Sequence, residues 1–279
     1  MTKTRTSLPD TFQFSRVKLQ DYDDCPRRFQ LRHVLMQPWP ALITESPAKA
    51  EQYRDRGLAF HRLVHQHTQD IPPETLTATI SDEVLQDWWR TFLRHPPPNL
   101  PETIRRSEVV LSAPMAGHRL VSRIDLIAAD PGQQLVVVDW KTVRRSPSRA
   151  ALAGRLQTRV YRYLAVEAGA AFNQAKPPEP DHVEMLYWFA QEGGKVERFP
   201  YDAEQHVAAQ LYLEDLISQI MAHDEPIWPL TTNELKCRFC NYRSLCERGV
   251  KAGFPEELDD DIELPDLEID LEQIAEVEF

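Results

Sequence analysis

The chain has few cysteines, no long apolar run and no basic residue in its last stretch. Four cysteines occur in 279 residues, too few for a disulfide-dense secreted scaffold. The longest strong apolar run is Leu135 to Val138, far short of the roughly 20 residues a membrane helix needs, so no membrane association is expected. Met1 to Asp10 is polar and lacks the apolar core of a secretory leader, which points to a cytoplasmic location. No G-x4-G-K-[ST] loop is present, so the chain carries no evident motor of its own, and no internal repeat is evident. His61 and His65 form H-x3-H, but Arg62 stands where a zinc protease needs its general-base Glu, and that chemistry is set aside.

Charge is unevenly spread. The formal net charge is −11, yet twelve of the 43 acidic residues lie in Pro255 to Phe279, which holds no Lys or Arg. The remaining 31 acids face 32 bases, so the body is near neutral. Arginines cluster at Arg27–Arg28, Arg105–Arg106, Arg144–Arg145 and Arg155, Arg159 and Arg162, as a phosphate-binding stripe or as solvated ion-paired faces. Repulsion within the acidic tail opposes compaction. It reads as a solubilising segment, a docking segment with Leu258, Ile262, Leu264, Leu267, Ile269 and Leu271 as anchors, or a DNA mimic.

Hydrophobic periodicity outlines one domain over residues 1–254 and the tail over 255–279. Residues 1–16 read as a flexible lead, 17–35 as a helix carrying Cys25, 51–68 as a helix with Leu58, Leu63 and Val64 along its apolar stripe, and 82–94 as a third, stopped by Pro96-Pro97-Pro98. Strands are expected over 105–113, 120–128 and 135–141, with Pro131-Gly132 turning the second into the third. A helix over 150–168, a hairpin across Gly193-Gly194 and a helix over 202–223 follow. The order predicts an α/β fold with a mixed sheet flanked by helices.

In Leu135 to Lys141 the strand period places Asp139 and Lys141 on one face, with Val138 and Trp140 on the other. A turn at Pro131-Gly132 pairs residues whose numbers sum to about 264, which brings Asp125 opposite Asp139. Two such carboxylates repel unless a cation lies between them, and Mg²⁺ or Mn²⁺ suits oxygen donors. Lys141 is placed to orient a water or stabilise developing charge. The plainer alternative is a cross-strand ion pair on an exposed sheet face; the apolar neighbours argue against exposure. His61 is a candidate further ligand. Gln157 and Tyr161, four apart, share a helix face. Cys25 and the C-x2-C-x5-C group of Cys237, Cys240 and Cys246 read as a metal or iron–sulfur clamp between the two ends of the domain. Closing a loop of about 212 residues this way removes on the order of 5 kcal/mol of unfolded-state entropy, by a model built for disulfides.

Taken together, these residues resemble the RecB-like branch of the PD-(D/E)xK nucleases, including the AddB nuclease domain and the iron–sulfur CRISPR-associated exonucleases, over about residues 15–250. Tyr22-Asp-Asp-Cys-Pro-Arg-Arg-Phe29 resembles the Y-x2-C-P-x2-F opening. Gly57-x3-His61 resembles the G-x3-H helix, Arg123-Ile-Asp125 the G-R-I-D strand, Val138-Asp-Trp-Lys-Thr142 the D-Y-K-T strand and Gln157-x3-Tyr161 the Q-x3-Y motif. Glu108 falls where the family often has an acid on its first strand. Ser122 and Trp140 depart from the usual Gly and Tyr. The resemblance implies a restriction-endonuclease-like mixed sheet and metal-dependent cleavage of DNA, with single-stranded or frayed ends as substrate. The settings it implies are repair, recombination or CRISPR adaptation, with or without a helicase partner. It implies Mg²⁺ or Mn²⁺ held by His61, Asp125, Asp139 and the Trp140 carbonyl. Catalysis would rest on Asp125, Asp139, Lys141, Gln157, Tyr161 and Glu108, and Cys25, Cys237, Cys240 and Cys246 would hold a [4Fe-4S] cluster, with zinc as the alternative occupant. The competing reading is a non-catalytic DNA-binding scaffold that keeps the fold.

Overall fold

A computed structural model of the protein describes residues 8–38 and 47–253. The acidic stretch from Pro255 lies outside the described residues. Strand β1 (Gln13–Ser15) leads into α1 (Arg16–Asp24), whose start is capped by the Ser15 hydroxyl accepting the Lys18 amide at 3.3 Å. The first residues are therefore not all a loose lead. Phe12 and Phe14 are buried, and β1 pairs parallel with residues 119–121. One helix was expected over 17–35. Instead Cys25 turns extended ahead of Pro26, whose ring cannot continue the helical ladder. A short α2 (Pro26–Phe29) and a π-helical turn over Gln30–Val34 follow.

Helix α3 (Pro47–Thr68) buries Phe60, Leu63 and Val64 and leaves Leu58 exposed, contrary to the stripe expected. After α4 (Pro73–Ala78), which had no clear sequence signal, α5 (Glu83–Arg94) is capped by Asp82. Three long strands come next: β2 (Ile104–Met115), β3 (His118–Asp130) and β4 (Gln134–Lys141). The helix expected over 150–168 is divided at Arg155, which is extended (ψ 141°), into α6 (Arg149–Gly154) and α7 (Leu156–Ala168). Strands β5 (Val183–Phe189) and β6 (Lys195–Pro200) form the expected hairpin, with Gly193 and Gly194 both at positive φ. Any Cβ at Gly194 would meet the His95 carbonyl at 2.8 Å, so glycine is required there. Asp202 caps α8 (Ala203–Met221) and takes the Gln205 side chain in return. A short α9 (Glu234–Cys237) and a 3-10 turn over Arg243–Cys246 carry Cys237 and Cys246, with Cys240 between them.

The strands form one mixed six-stranded sheet. β3 has antiparallel β2 along one edge and shares its other edge between β1 at its start and antiparallel β4 at its end. β4 pairs parallel with β5, and β5 antiparallel with β6. The β3–β4 register is Leu126↔Val138 and Ile127↔Val137, the sum of 264 anticipated from the turn. One face packs Leu135, Val137, Met185 and Tyr187 against α1, α7 and α8; the other packs Val136, Val138, Trp140 and Trp188 against α3 and α5. Burial on both faces explains the near-continuous apolar run of β4, where each large side chain contributes about 1.5–3 kcal/mol. This is the helix-flanked mixed sheet that the resemblance implied. No helix among the described residues is long and apolar enough to cross a membrane.

Candidate active site

The site lies where β3 and β4 part. Within β2, Val109, Leu111, Ala113 and Met115 face one core, and so does Ile104, although its number has the other parity. Within β3, Leu120 and Ile124 share that core with Ile127 and Ala129. Both strands thus change face together. The register is Ser107↔Leu126 and Val109↔Ile124, with Glu108 and Asp125 left between as the interruption. Glu108 sits at φ 55°, a left-handed conformation that costs a non-glycine residue about 1–2 kcal/mol. The switch presents the two carboxylates side by side.

His61 on α3 reaches the same place. Gly57, one turn earlier, leaves room for the chain after β4: a Cβ there would lie 3.2 Å from the Thr142 hydroxyl. His61 Nδ1 lies 3.3 Å from Asp125 Oδ1, and His61 Nε2 lies 3.0 Å from the Trp140 carbonyl. A carbonyl and a carboxylate both accept, so with no cation present both ring nitrogens are drawn to carry hydrogen, and as a metal ligand His61 would give one of them up. Burial disfavours the charged ring, but Asp125, through attraction and its hydrogen bond, and Asp139 overcome it and raise His61 to about 9. Asp125 also accepts the Trp140 amide at 2.9 Å. Its carboxyl is held low: burial opposes ionisation, while His61, the Trp140 amide and Lys141 overcome it.

His61, Glu108 and Asp125 offer donor atoms that all lie within 4.8 Å of one another. Among the described residues no other set of three His, Cys, Asp or Glu side chains does so. Two carboxylates and an imidazole, with the Trp140 carbonyl alongside, fit a hard divalent cation. Burial pushes Glu108 up, Arg123 opposes, and Asp125 adds repulsion that a cation would relieve. Arg123 Nε holds Glu108 at 3.1 Å.

Asp139 and Lys141 share the other face of β4, as the strand period requires. Asp139 is not part of the three-donor group. Its Oδ2 faces Lys141 Nζ at 3.0 Å, and its Oδ1 accepts from Gln157 Nε2 at 2.5 Å. Lys141 donates to Gln157 Oε1 at 2.8 Å, so the Gln157 amide spans acid and amine from α7. Burial pushes Asp139 up to about 6, with Lys141 opposing and Asp125 adding to the rise. Tyr161 is buried beside Gln157 and Arg16, and burial keeps its phenol neutral.

Four contributors escaped the sequence reading. Tyr187 lies under the Lys141 ammonium, 5.5 Å from ring centre to Nζ, and its hydroxyl meets Thr158 at 2.7 Å. Tyr53 and Gln191 both donate to the Thr142 carbonyl, fixing the chain just after Lys141; the Gln191 bond is 2.5 Å. Ser107, beside Glu108, is bonded to His65 and Thr68. Tyr53, Gly57, His61 and His65 follow a spacing of four along one helix face, the one signal by which the sequence could have revealed that α3 guards the site.

The four cysteines form a second centre. None is in a disulfide; Cys25 and Cys240 are buried, Cys237 and Cys246 partly so. Burial pushes Cys240 up to about 11; Arg28 opposes, and Cys25 and Cys246 add to the rise. Burial likewise raises Cys246, with Cys25 and Cys237 adding to it. The four sulfurs thus lie within each other's field, beside Arg27, Arg28 and Arg248. Arg248 donates to Cys237 Sγ at 3.7 Å and the Tyr242 amide to Cys240 Sγ at 3.4 Å. Cationic and amide donors around these sulfurs suit thiolate ligands.

The ends are also joined without the sulfurs. Gln30 donates to the Pro226 carbonyl at 3.0 Å and accepts from the Trp228 amide at 2.9 Å, and the rings of Phe29 and Trp228 stack at 5.6 Å.

Among solved structures the chain is similar to the protein SSO0001, at 12% identity, with 87% of this chain and 89% of that chain covered and a TM-score of 0.40. It is also similar to a Eubacterium rectale protein provisionally named an exonuclease, at 10% identity, with 80% and 85% covered and a TM-score of 0.44. No curated protein matches the sequence. The model of the PD-(D/E)XK nuclease superfamily matches residues 13–247. That span covers both strands of the acidic site, the helix of Gln157 and all four cysteines, and the chain belongs to this superfamily.

Proposed function

We propose that the protein is a Mg²⁺- or Mn²⁺-dependent deoxyribonuclease of the RecB-like type, acting on single-stranded or frayed DNA ends and stapled by a [4Fe-4S] cluster. The observation that carries this reading is the convergence of His61, Glu108 and Asp125 beside the Asp139–Lys141–Gln157 group. A bound divalent ion would polarise a phosphate oxygen and acidify a water. Lys141, held by Gln157 and Asp139, presents its ammonium where charge builds on the scissile phosphate. Gln157 fixes the orientation of both neighbours, and Tyr187 closes the amine from below. Asp139, held by Lys141 and Gln157, would be the further carboxylate ligand that the resemblance implies.

For the cysteine centre, the resemblance favours iron–sulfur, with zinc as the alternative occupant of four sulfurs.

The test is cleavage of end-labelled single-stranded DNA with Mn²⁺ by the protein and by Lys141→Ala. Loss of cleavage only in the variant is the expected result. Equal cutting by both would remove the proposed active site, and no cutting by either would favour a scaffold that binds DNA without hydrolysing it.

A further inference from the structure

Glu108 is the single positive-φ residue other than glycine that lies inside a strand, among the described residues. Glutamate has no intrinsic preference for that conformation, so its surroundings must impose it. Its carboxylate is tied to Arg123. Its backbone is tied through the preceding residue. The Ser107 hydroxyl meets His65 Nδ1 at 2.7 Å and Thr68 Oγ1 at 2.6 Å from the end of α3, and Gln69 Nε2 at 3.5 Å just beyond it.

The protons on this group can be placed. The Thr68 hydroxyl donates to the His65 carbonyl at 2.7 Å, so towards Ser107 it accepts. The one proton of Ser107 is thereby used, and His65 Nδ1 must donate. The bonds run from His65 to Ser107, to Thr68 and back to the His65 backbone, a closed ring that fixes the serine oxygen. His65 lies one turn beyond His61. The helix that supplies one nitrogen donor therefore also grips the strand at the point that supplies an oxygen donor.

We propose that Ser107, clamped by His65 and Thr68, is a positioning residue that sets the Glu108 carboxylate into the cation site. This rests on the metal-dependent reading above, with Glu108 as a ligand. Groups that orient ligands in this way typically change metal affinity by about 10–100-fold when removed.

The experiment measures Mn²⁺ binding to the full chain by the electron paramagnetic resonance signal of the free ion, with no DNA present. Ser107→Ala and Thr68→Val are each expected to weaken binding by about 10-fold, with a Tm close to that of the unchanged protein. Ser107→Thr, which keeps the hydroxyl, should retain most of the affinity. In cleavage assays the Mn²⁺ concentration for half-maximal activity should rise more than kcat falls. If Ser107→Ala does not fold, Thr68→Val, close in volume, carries the test. Unchanged Mn²⁺ affinity in the folded variants, while Glu108→Gln weakens it, overturns the clamp alone. Unchanged affinity in Glu108→Gln overturns the assignment of Glu108 as a ligand, whatever the clamp does.

Discussion

At the scale of single residues the acid–amine group depends on one amide. Removing Lys141 takes away the only ammonium facing Asp139 among the ion pairs described, and Lys141→Ala should lower kcat by about 10²–10³-fold. Circular dichroism should show the fold retained. Gln157→Leu leaves acid and amine in place without their bridge, so a smaller loss of kcat than in Lys141→Ala is expected in the same cleavage assay. A second buried carboxylate, Asp21, has a different task. It meets Arg28 at 2.9 Å, Arg32 at 3.0 Å and His33 at 2.8 Å. Burial opposes its ionisation, but Arg28, His33 and Arg32 together hold it well below the ordinary 3.8. Its native value is depressed, so the unfolded chain binds the proton first. The stability it contributes is complete above about pH 4 and is lost as pH falls through the native value. Thermal melts between pH 2 and 6 should show Asp21→Asn far below the unchanged protein at pH 6, with the gap narrowing as pH falls below about 4. Asp139 and Lys141 were legible from strand alternation alone. Gln157 beside the lysine and His61 beside the Trp140 carbonyl followed from the resemblance, whereas the tyrosine under the amine did not, because it comes from β5, far along the sequence.

Secondary-structure elements show where local signals suffice. Turn chemistry at Pro131-Gly132 and Gly193-Gly194 is strong and local, and the β3–β4 register and the β5–β6 hairpin follow from it. Pro26 announced a break that the apolar pattern concealed. By contrast, β1 is three residues long and pairs in parallel with a strand about 100 positions away, so nothing near it in sequence marks it. The joint face change of β2 and β3 is equally silent, since it spends one unpaired residue on each strand and leaves the register intact. Two predictions belong here. Glu108→Gly relaxes the left-handed backbone while deleting a donor, so Tm should hold or rise as Mn²⁺ affinity falls. Gly57→Ala places a methyl 3.2 Å from Thr142, at the end of the strand that carries Lys141. Activity should drop by more than stability does, as read by kcat against Tm.

For the molecule as a whole, sulfur chemistry and packing act on the same seam. Phe29 stacks on Trp228, Gln30 bonds on both sides of Ile227, and Arg28 spans Asp21, Asp24 and the field of Cys240. Loss of one of the four sulfurs should therefore loosen the seam without unfolding the sheet. Cys25→Ser should reduce iron and sulfide per chain and lower Tm by several degrees, while the far-ultraviolet spectrum stays close to that of the intact protein. The pairing of Cys25 with the distal three was legible because no other cysteine exists. The aromatic and amide bonds that duplicate the link were not, because they join residues about 200 apart.

The same seam has a consequence during synthesis. At about 5–20 residues per second, Cys25 leaves the ribosome tens of seconds before Cys246 can follow. For most of that interval the aromatic ring of Phe29 has no Trp228 to cover it, and the last strand of the sheet is complete at Pro200, still ahead of Cys237. Maturation is thus ordered in time: the sheet can assemble first, and the proposed cluster would be delivered only after Cys246 has been made. A nascent chain stalled before Cys237 would display an unguarded, oxidisable sulfur.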